Sequence, residues 1–134
     1  MTDTSADNRR AVAEAFSSWE RGDTRPFFAL VSDDVAWTVI GTTPISGTYT
    51  SKQAFLDAAV GGLMARLEGP IMASVRNVLA DGDHVVLQWE GRTRARTGRP
   101  YEQTYCWVLR FGEGRIREVT AYLDTELVSA MFEN

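Results

Sequence analysis

At Gly69-Pro70 the sequence changes its period. Before that point apolar residues recur at helical steps; after it they alternate along four runs, Ile71 to Ala80, Val85 to Ala95, Tyr101 to Phe111 and Ile116 to Leu123. The separators, Asp81-Gly82-Asp83, Thr97-Gly98-Arg99-Pro100 and Gly112-Glu113-Gly114, are made of residues that favour tight reversals. Helices first and an antiparallel meander afterwards predict an α+β fold. At 134 residues the chain holds one domain, spanning 1–134, because typical domains take about 100 to 150 residues.

In the first half, Val12, Ala15, Phe16 and Trp19 trace one face of a helix from Asp7 to Trp19, stopped by Arg21-Gly22-Asp23. Asp23 or Thr24 can cap a second helix, with Pro26 near its first turn and Phe27, Phe28, Leu30 and Val31 as its buried stripe. Val35 to Ile40 reads as a strand that exits into a loop from Gly41 to Gly47. Thr50-Ser51-Lys52-Gln53 fits a capping box at the head of a third helix, which carries Phe55, Ala58, Ala59, Leu63 and Leu67 and is weakened by Gly61-Gly62.

Strand register decides which side chains share a face, because a slip of one residue exchanges the faces. A two-residue loop at Glu113-Gly114 pairs Phe111 with Ile116, Leu109 with Glu118, Trp107 with Thr120, Tyr105 with Tyr122 and Gln103 with Asp124. A three-residue loop at Gly98-Arg99-Pro100 brings Trp89, Gly91, Thr93 and Ala95 to that same face and leaves Glu90, Arg92, Arg94 and Arg96 opposite. The alternative two-residue loop would set charges beside Trp107 and Tyr105.

Composition narrows the chemistry. Fourteen Lys plus Arg against eighteen Asp plus Glu give a net charge of −4, which argues against a nucleic acid partner. The single cysteine, Cys106, has no internal partner, and no apolar run approaches a membrane span or the core of a signal peptide, so a cytoplasmic location is expected. One histidine, His84, follows the turn residues Asp81-Gly82-Asp83 of a hairpin and is expected in solvent. His-rich zinc sites are thereby removed, and neither metal nor cofactor is expected. Chemistry must rest on carboxylates, phenols and amides.

Trp37-x-x-x-Gly41, Ile45-Ser46-Gly47-Thr48-Tyr49, Tyr101-x-Gln103-x-Tyr105 and Tyr122-Leu123-Asp124-Thr125, set in three helices followed by a meander, resemble the nuclear transport factor 2-like superfamily. The resemblance is to its SnoaL-like, ketosteroid-isomerase-related branch and runs from about Arg9 to Phe132. It implies a cone, a curved antiparallel sheet wrapped against three N-terminal helices with a pocket inside, and pairing of two copies through the sheet. Isomerases, cyclases, dehydratases and non-catalytic binding modules share that shape. Where ketosteroid isomerases of this fold carry their base, this chain reads Trp37-Thr38-Val39-Ile40, and where they carry a tyrosine in the first helix it reads Glu14-Ala15-Phe16. Steroid-type isomerisation is therefore not expected.

The remaining candidates follow from the register. Asp124, between Trp107, Tyr105 and Tyr122, would be desolvated and act as acid or base; as the residue before Thr125-Glu126-Leu127 it is equally a helix cap. Tyr105 and Tyr122 would donate hydrogen bonds to an enolate oxygen, or simply fill the core. Gln103 would orient Asp124 or a ligand carbonyl, and Trp37, Trp89 and Trp107 would wall a pocket for an apolar or aromatic small molecule. Two functions follow: proton transfer on an apolar carbonyl or ring-bearing compound, as isomerase, lyase or cyclase, or binding in the same cavity without turnover. An outer face bearing Cys106 and Val108 among charges is the expected homodimer surface.

Overall fold

The computed structural model describes residues 4–133. Helix α1 (Thr4–Glu20) and short helix α2 (Arg25–Leu30) lead into β1 (Val31–Val39) and a three-residue edge strand β2 (Gly47–Tyr49). A helical segment follows in three parts, α3 (Lys52–Ala54), a π-helical stretch (Phe55–Val60) and α4 (Gly61–Met64). The meander is β3 (Met72–Asp81), β4 (His84–Arg94), β5 (Pro100–Gly112) and β6 (Arg115–Leu123), and α5 (Thr125–Met131) closes the described chain. The mixed α+β architecture with a curved sheet against N-terminal helices is the one expected.

One six-stranded sheet runs in the order β2-β1-β6-β5-β4-β3. Neighbours are antiparallel except β1 and β6, whose parallel pairing sets the chain's first strand along the β6 edge of the meander, between β6 and β2. Alternation does the sorting: along β5, Tyr101, Gln103, Tyr105, Trp107, Leu109 and Phe111 are buried and the residues between them are not. Helix α1 lies against β3 and β4, and its Val12, Ala15, Phe16 and Trp19 enter the core.

The third helix starts as a Ser51 cap, whose hydroxyl accepts from Ala54 N–H at 3.0 Å; Gln53 turns instead to Asp57 at 2.8 Å. Lys52 ties this start to the α2–β1 junction, donating to the carbonyls of Phe28 and Val31 at 2.9 and 3.1 Å. The weakness foreseen at Gly61-Gly62 falls just after a π-helical turn, a wider winding that sets Phe55 and Ala59 inward.

Two register expectations fare differently. Trp89, Gly91 and Ala95 do share the inner face with Tyr105 and Trp107, with Trp89 opposite Tyr105 and Gly91 opposite Gln103. The reversal is longer than the expected loop at residues 98–100, because β4 ends at Arg94 and β5 begins at Pro100. In the last hairpin Glu113 and Gly114 form the expected two-residue turn with φ of 54° and 78°, and Phe111 faces Ile116. Beyond that pair, however, Arg110 faces Glu118, so Arg117 is an extra residue and the ladder shifts by one. Val119 and Ala121 point inward in place of Thr120 and Tyr122, and Tyr122 faces Cys106 on the outside, 46% exposed. The expected pairing of Tyr105 with Tyr122 is thus corrected to Tyr105 with Leu123.

Candidate ligand-binding cavity

The sheet curls around a cavity of about 490 Å³. Its floor is strand: Trp37 and Val39 from β1, Ala121 and Leu123 from β6, Tyr105 and Trp107 from β5, and Trp89 from β4. The π-helical stretch supplies the roof with Phe55, Leu56, Ala59 and Val60. Gly22, Thr24 and Arg25 around the α1–α2 turn and Pro70-Ile71 ahead of β3 also line it, with Trp19, Phe28, Ile45 and Met64. Arg25 is the one charged residue among those described as lining it, and Asp23 holds it through Nε and Nη2 at 2.9 and 3.1 Å. The Arg25 guanidinium in turn keeps the Asp23 carboxyl below the usual carboxylate range.

Aromatic packing gives the wall its shape. Trp107 stands nearly perpendicular to both Trp37 and Trp89, at centroid distances of 5.1 and 5.0 Å, while Trp37 stacks on Phe55 at 3.9 Å and Trp89 on Tyr105 at 4.1 Å. Such edge-to-face and stacked contacts fit the charge distribution of the rings and hold them in fixed orientations. The indole N–H groups of Trp37, Trp89 and Trp107 are buried without a nitrogen or oxygen acceptor among the described residues. Trp19, by contrast, donates to Ile71 O at 3.0 Å and so fastens α1 to the head of β3. Gly91 makes the Trp89–Tyr105 stack possible, since a Cβ there would lie 2.6 Å from Ile71 Cγ2 and 3.0 Å from Tyr105 Cε2.

The sequence-derived site residues divide into two groups. Trp37, Trp89, Trp107 and Tyr105 meet at the cavity; Gln103, Asp124 and Tyr122 do not line it. Asp124 is exposed and caps α5, its Oδ1 accepting from Leu127 N–H at 3.2 Å, so the capping alternative describes its geometry and the desolvated carboxylate does not. The physical reason is the shifted ladder, which ends β6 one residue out of phase with the expected face. Tyr122, for the same reason, belongs to an outer groove with Cys106, Thr104 and Gln88. Gln103 is 1% exposed and occupied by backbone: its Oε1 accepts from Asp124 and Thr104 N–H at 2.7 and 3.0 Å, and its Nε2 donates to Asp124 O at 3.0 Å.

A polar feature absent from the sequence reading is the pair of phenols Tyr101 and Tyr105, whose hydroxyls are 2.8 Å apart and buried. Four residues along an extended strand span about 13 Å, so the two rings must lean toward each other over Gln103. Burial pushes the Tyr105 phenol well above its ordinary value, and burial also raises Tyr101. The pattern Tyr101-x-Gln103-x-Tyr105 was the available signal, three polar-tipped side chains on one inward face. His84 sits outside this assembly, its Nδ1 2.9 Å from Asp83 at the β3–β4 turn. The arginines also stay out: Arg76 and Arg92 gather on Glu90, while Arg94 and Arg96 bond the carbonyls of Gly98 and Ala65. Among the described residues no group of three or more histidine, cysteine or carboxylate side chains converges to hold a metal ion.

A cone with an aromatic interior invites comparison with known folds, and the SnoaL-like domain model matches residues 12–119. The chain belongs to the SnoaL-like domain family. Solved structures agree on the fold. An NTF2-like protein from Burkholderia thailandensis E264 superposes with a TM-score of 0.79 at 23% identity, over 95% of this chain and 98% of that one. Bal32a, from a soil-derived mobile gene cassette, gives 0.81 at 20% identity over 98% and 100%. TerC, co-crystallised with polyporic acid, gives 0.77 at 16% identity over 95% and 98%. No curated protein matches the chain by sequence. Within this SnoaL-like domain, then, the cavity is the feature that distinguishes a functional reading.

Proposed function

We propose that this SnoaL-like domain binds an apolar, ring-bearing small molecule inside its cone and does so without acid–base turnover. The observation that carries the reading is the cavity itself. At about 490 Å³ it has the size of small-molecule sites, roughly 300 to 1,000 Å³. Its wall is mostly tryptophan, phenylalanine and aliphatic side chains, joined by the Tyr105 phenol and by Arg25, which Asp23 holds, and no carboxylate, imidazole or amine is among the described residues that line it. A general base must reach the proton it removes, and Asp124 is engaged in a helix cap at the surface. That a structural neighbour, TerC, was co-crystallised with a small molecule supports a binding role for the same fold.

Titration with fluorene, followed by tryptophan fluorescence, tests this. Saturable quenching is expected, and Ala59→Phe, which fills the roof of the cavity, is expected to abolish it. Quenching that never saturates, or that Ala59→Phe leaves intact, sinks the reading.

Two further parts belong to the proposal. Self-association uses the outer sheet face, where Tyr122 is exposed beside Cys106 in the register of β5 and β6. Equilibrium sedimentation returning a single 14.9 kDa species would rule that out. Location is cytoplasmic, in keeping with one unpaired cysteine. No helix among the described residues is long and apolar enough to cross a membrane.

A further inference from the structure

The hydrogen bonds around Gln103 have a direction. Its Oε1 accepts from two backbone N–H groups, those of Asp124 and Thr104, and this fixes which end of the amide is oxygen. Its Nε2 therefore points the other way, donating to Asp124 O at 3.0 Å and to the Tyr101 hydroxyl at 3.4 Å. Tyr101 is 0% exposed, and among the described residues the Tyr105 oxygen is the acceptor within reach of its proton. Were Tyr105 to donate to Tyr101 instead, the Tyr101 proton would be buried without an acceptor, which is the costly arrangement. The arrangement that leaves the unpaired proton on Tyr105, at the cavity, and not on Tyr101, in the closed core, runs from Gln103 to Tyr101 to Tyr105. Tyr105 is the member of this chain that lines the cavity, and its own proton is left to find an acceptor there.

We propose that Tyr101, held by Gln103, is a positioning residue that turns the Tyr105 hydroxyl proton toward the cavity, so that the site selects apolar ring compounds bearing a carbonyl-type acceptor over the matching hydrocarbons. This rests on the cavity reading above and deepens it. Stacking on Trp89 and the close approach at Gly91 fix the Tyr105 ring, so the donor is oriented before a ligand arrives.

The matched probes are 9-fluorenone and fluorene, which differ by one carbonyl. On the unmodified protein, fluorenone is expected to bind about fivefold tighter, the worth of one neutral hydrogen bond, and its carbonyl stretch is expected to fall in frequency on binding. Tyr105→Phe should remove both effects, read as the ratio of fluorenone to fluorene affinity within that variant. Tyr101→Phe should keep fluorene affinity while losing most of the preference and of the frequency shift. Equal affinities with an unshifted stretch overturn the donor and leave the cavity reading standing. A shift that survives Tyr101→Phe unchanged overturns the positioning role. Failure of both probes to bind overturns the cavity reading and this proposal with it. Neutron diffraction from the unmodified protein reads the same relay without any variant: a deuteron on Tyr101 directed at Tyr105 is expected, and the reverse direction refutes the proposal.

Discussion

Along the β4–β5 hairpin the ladder runs unbroken from His84 opposite Arg110 to Arg94 opposite Pro100, whereas the β5–β6 hairpin loses step one pair beyond its turn. Both hairpins share β5, and both sequences alternate. In the first, alternation transmits residue identity to face, and Trp89 lands beside Tyr105. In the second, one extra residue, Arg117, inverts every side chain after it, and Tyr122 and Asp124, five and seven positions further on, finish outside the cavity. Arg117 is held where the ladder breaks by Gly112 O at 3.1 Å and Ser32 Oγ at 3.0 Å, with Asp34 at 3.4 Å. Hydrogen bonds from Ser32 and the Asp34 backbone, with a smaller contribution from Arg117, keep the Asp34 carboxyl below its ordinary range. A bulge is thus a local event with a distant readout.

Deleting one residue from each hairpin separates the two most sharply. Removal of Gln88 from β4 forces either Leu87 and Val85 or Trp89 and Gly91 to face solvent, so loss of the folded state is expected in circular dichroism. Removal of Arg117 restores regular alternation, with Ile116 and Val119 still inward, and is expected to cost only about 1 to 2 kcal/mol in urea denaturation for the lost hydrogen bonds. An Arg117 deletion that unfolds the protein would show that the bulge is required and not merely tolerated.

Next in size is Gly91→Val, which probes the regular hairpin from its inner face. The added carbons meet Ile71, Tyr105 and Trp89, and a loss of about 2 kcal/mol with weakened ligand binding is expected from overpacking. Asp124 sharpens the other side. Asp124→Ala should lose about 1 kcal/mol as a cap is removed, while Asp124→Asn should leave stability and ligand binding nearly unchanged. A large loss of function in Asp124→Asn would return the carboxylate to the centre of the mechanism.

The smallest effect lies at alkaline pH. Above about pH 10 the unfolded chain begins to release tyrosine protons that the folded chain retains on Tyr101 and Tyr105, so stability is whole below that value and falls as pH rises beyond it. Tyr105→Phe should make the fall between roughly pH 10 and 12 shallower, as read from urea midpoints. An unchanged slope would place the proton uptake elsewhere.

Legible in the chain alone were local features: helix faces, the runs of four meander strands, the Glu113-Gly114 turn and the Asp124 cap as one of two alternatives. Each depends on spacing within a dozen residues and on preferences that neighbours set. Tertiary structure alone decided the parallel docking of β1 on β6, the bulge at Arg117 and the meeting of Tyr101 with Tyr105. Periodicity counts residues and cannot register one that the ladder skips, and here the partners holding Arg117 in its bulge include Ser32 and Asp34, 85 and 83 residues away. The phenol contact likewise needs two side chains of one strand to lean together over a side chain locked to the start of α5. That closure is a property of the folded sheet, absent from any stretch of chain considered alone.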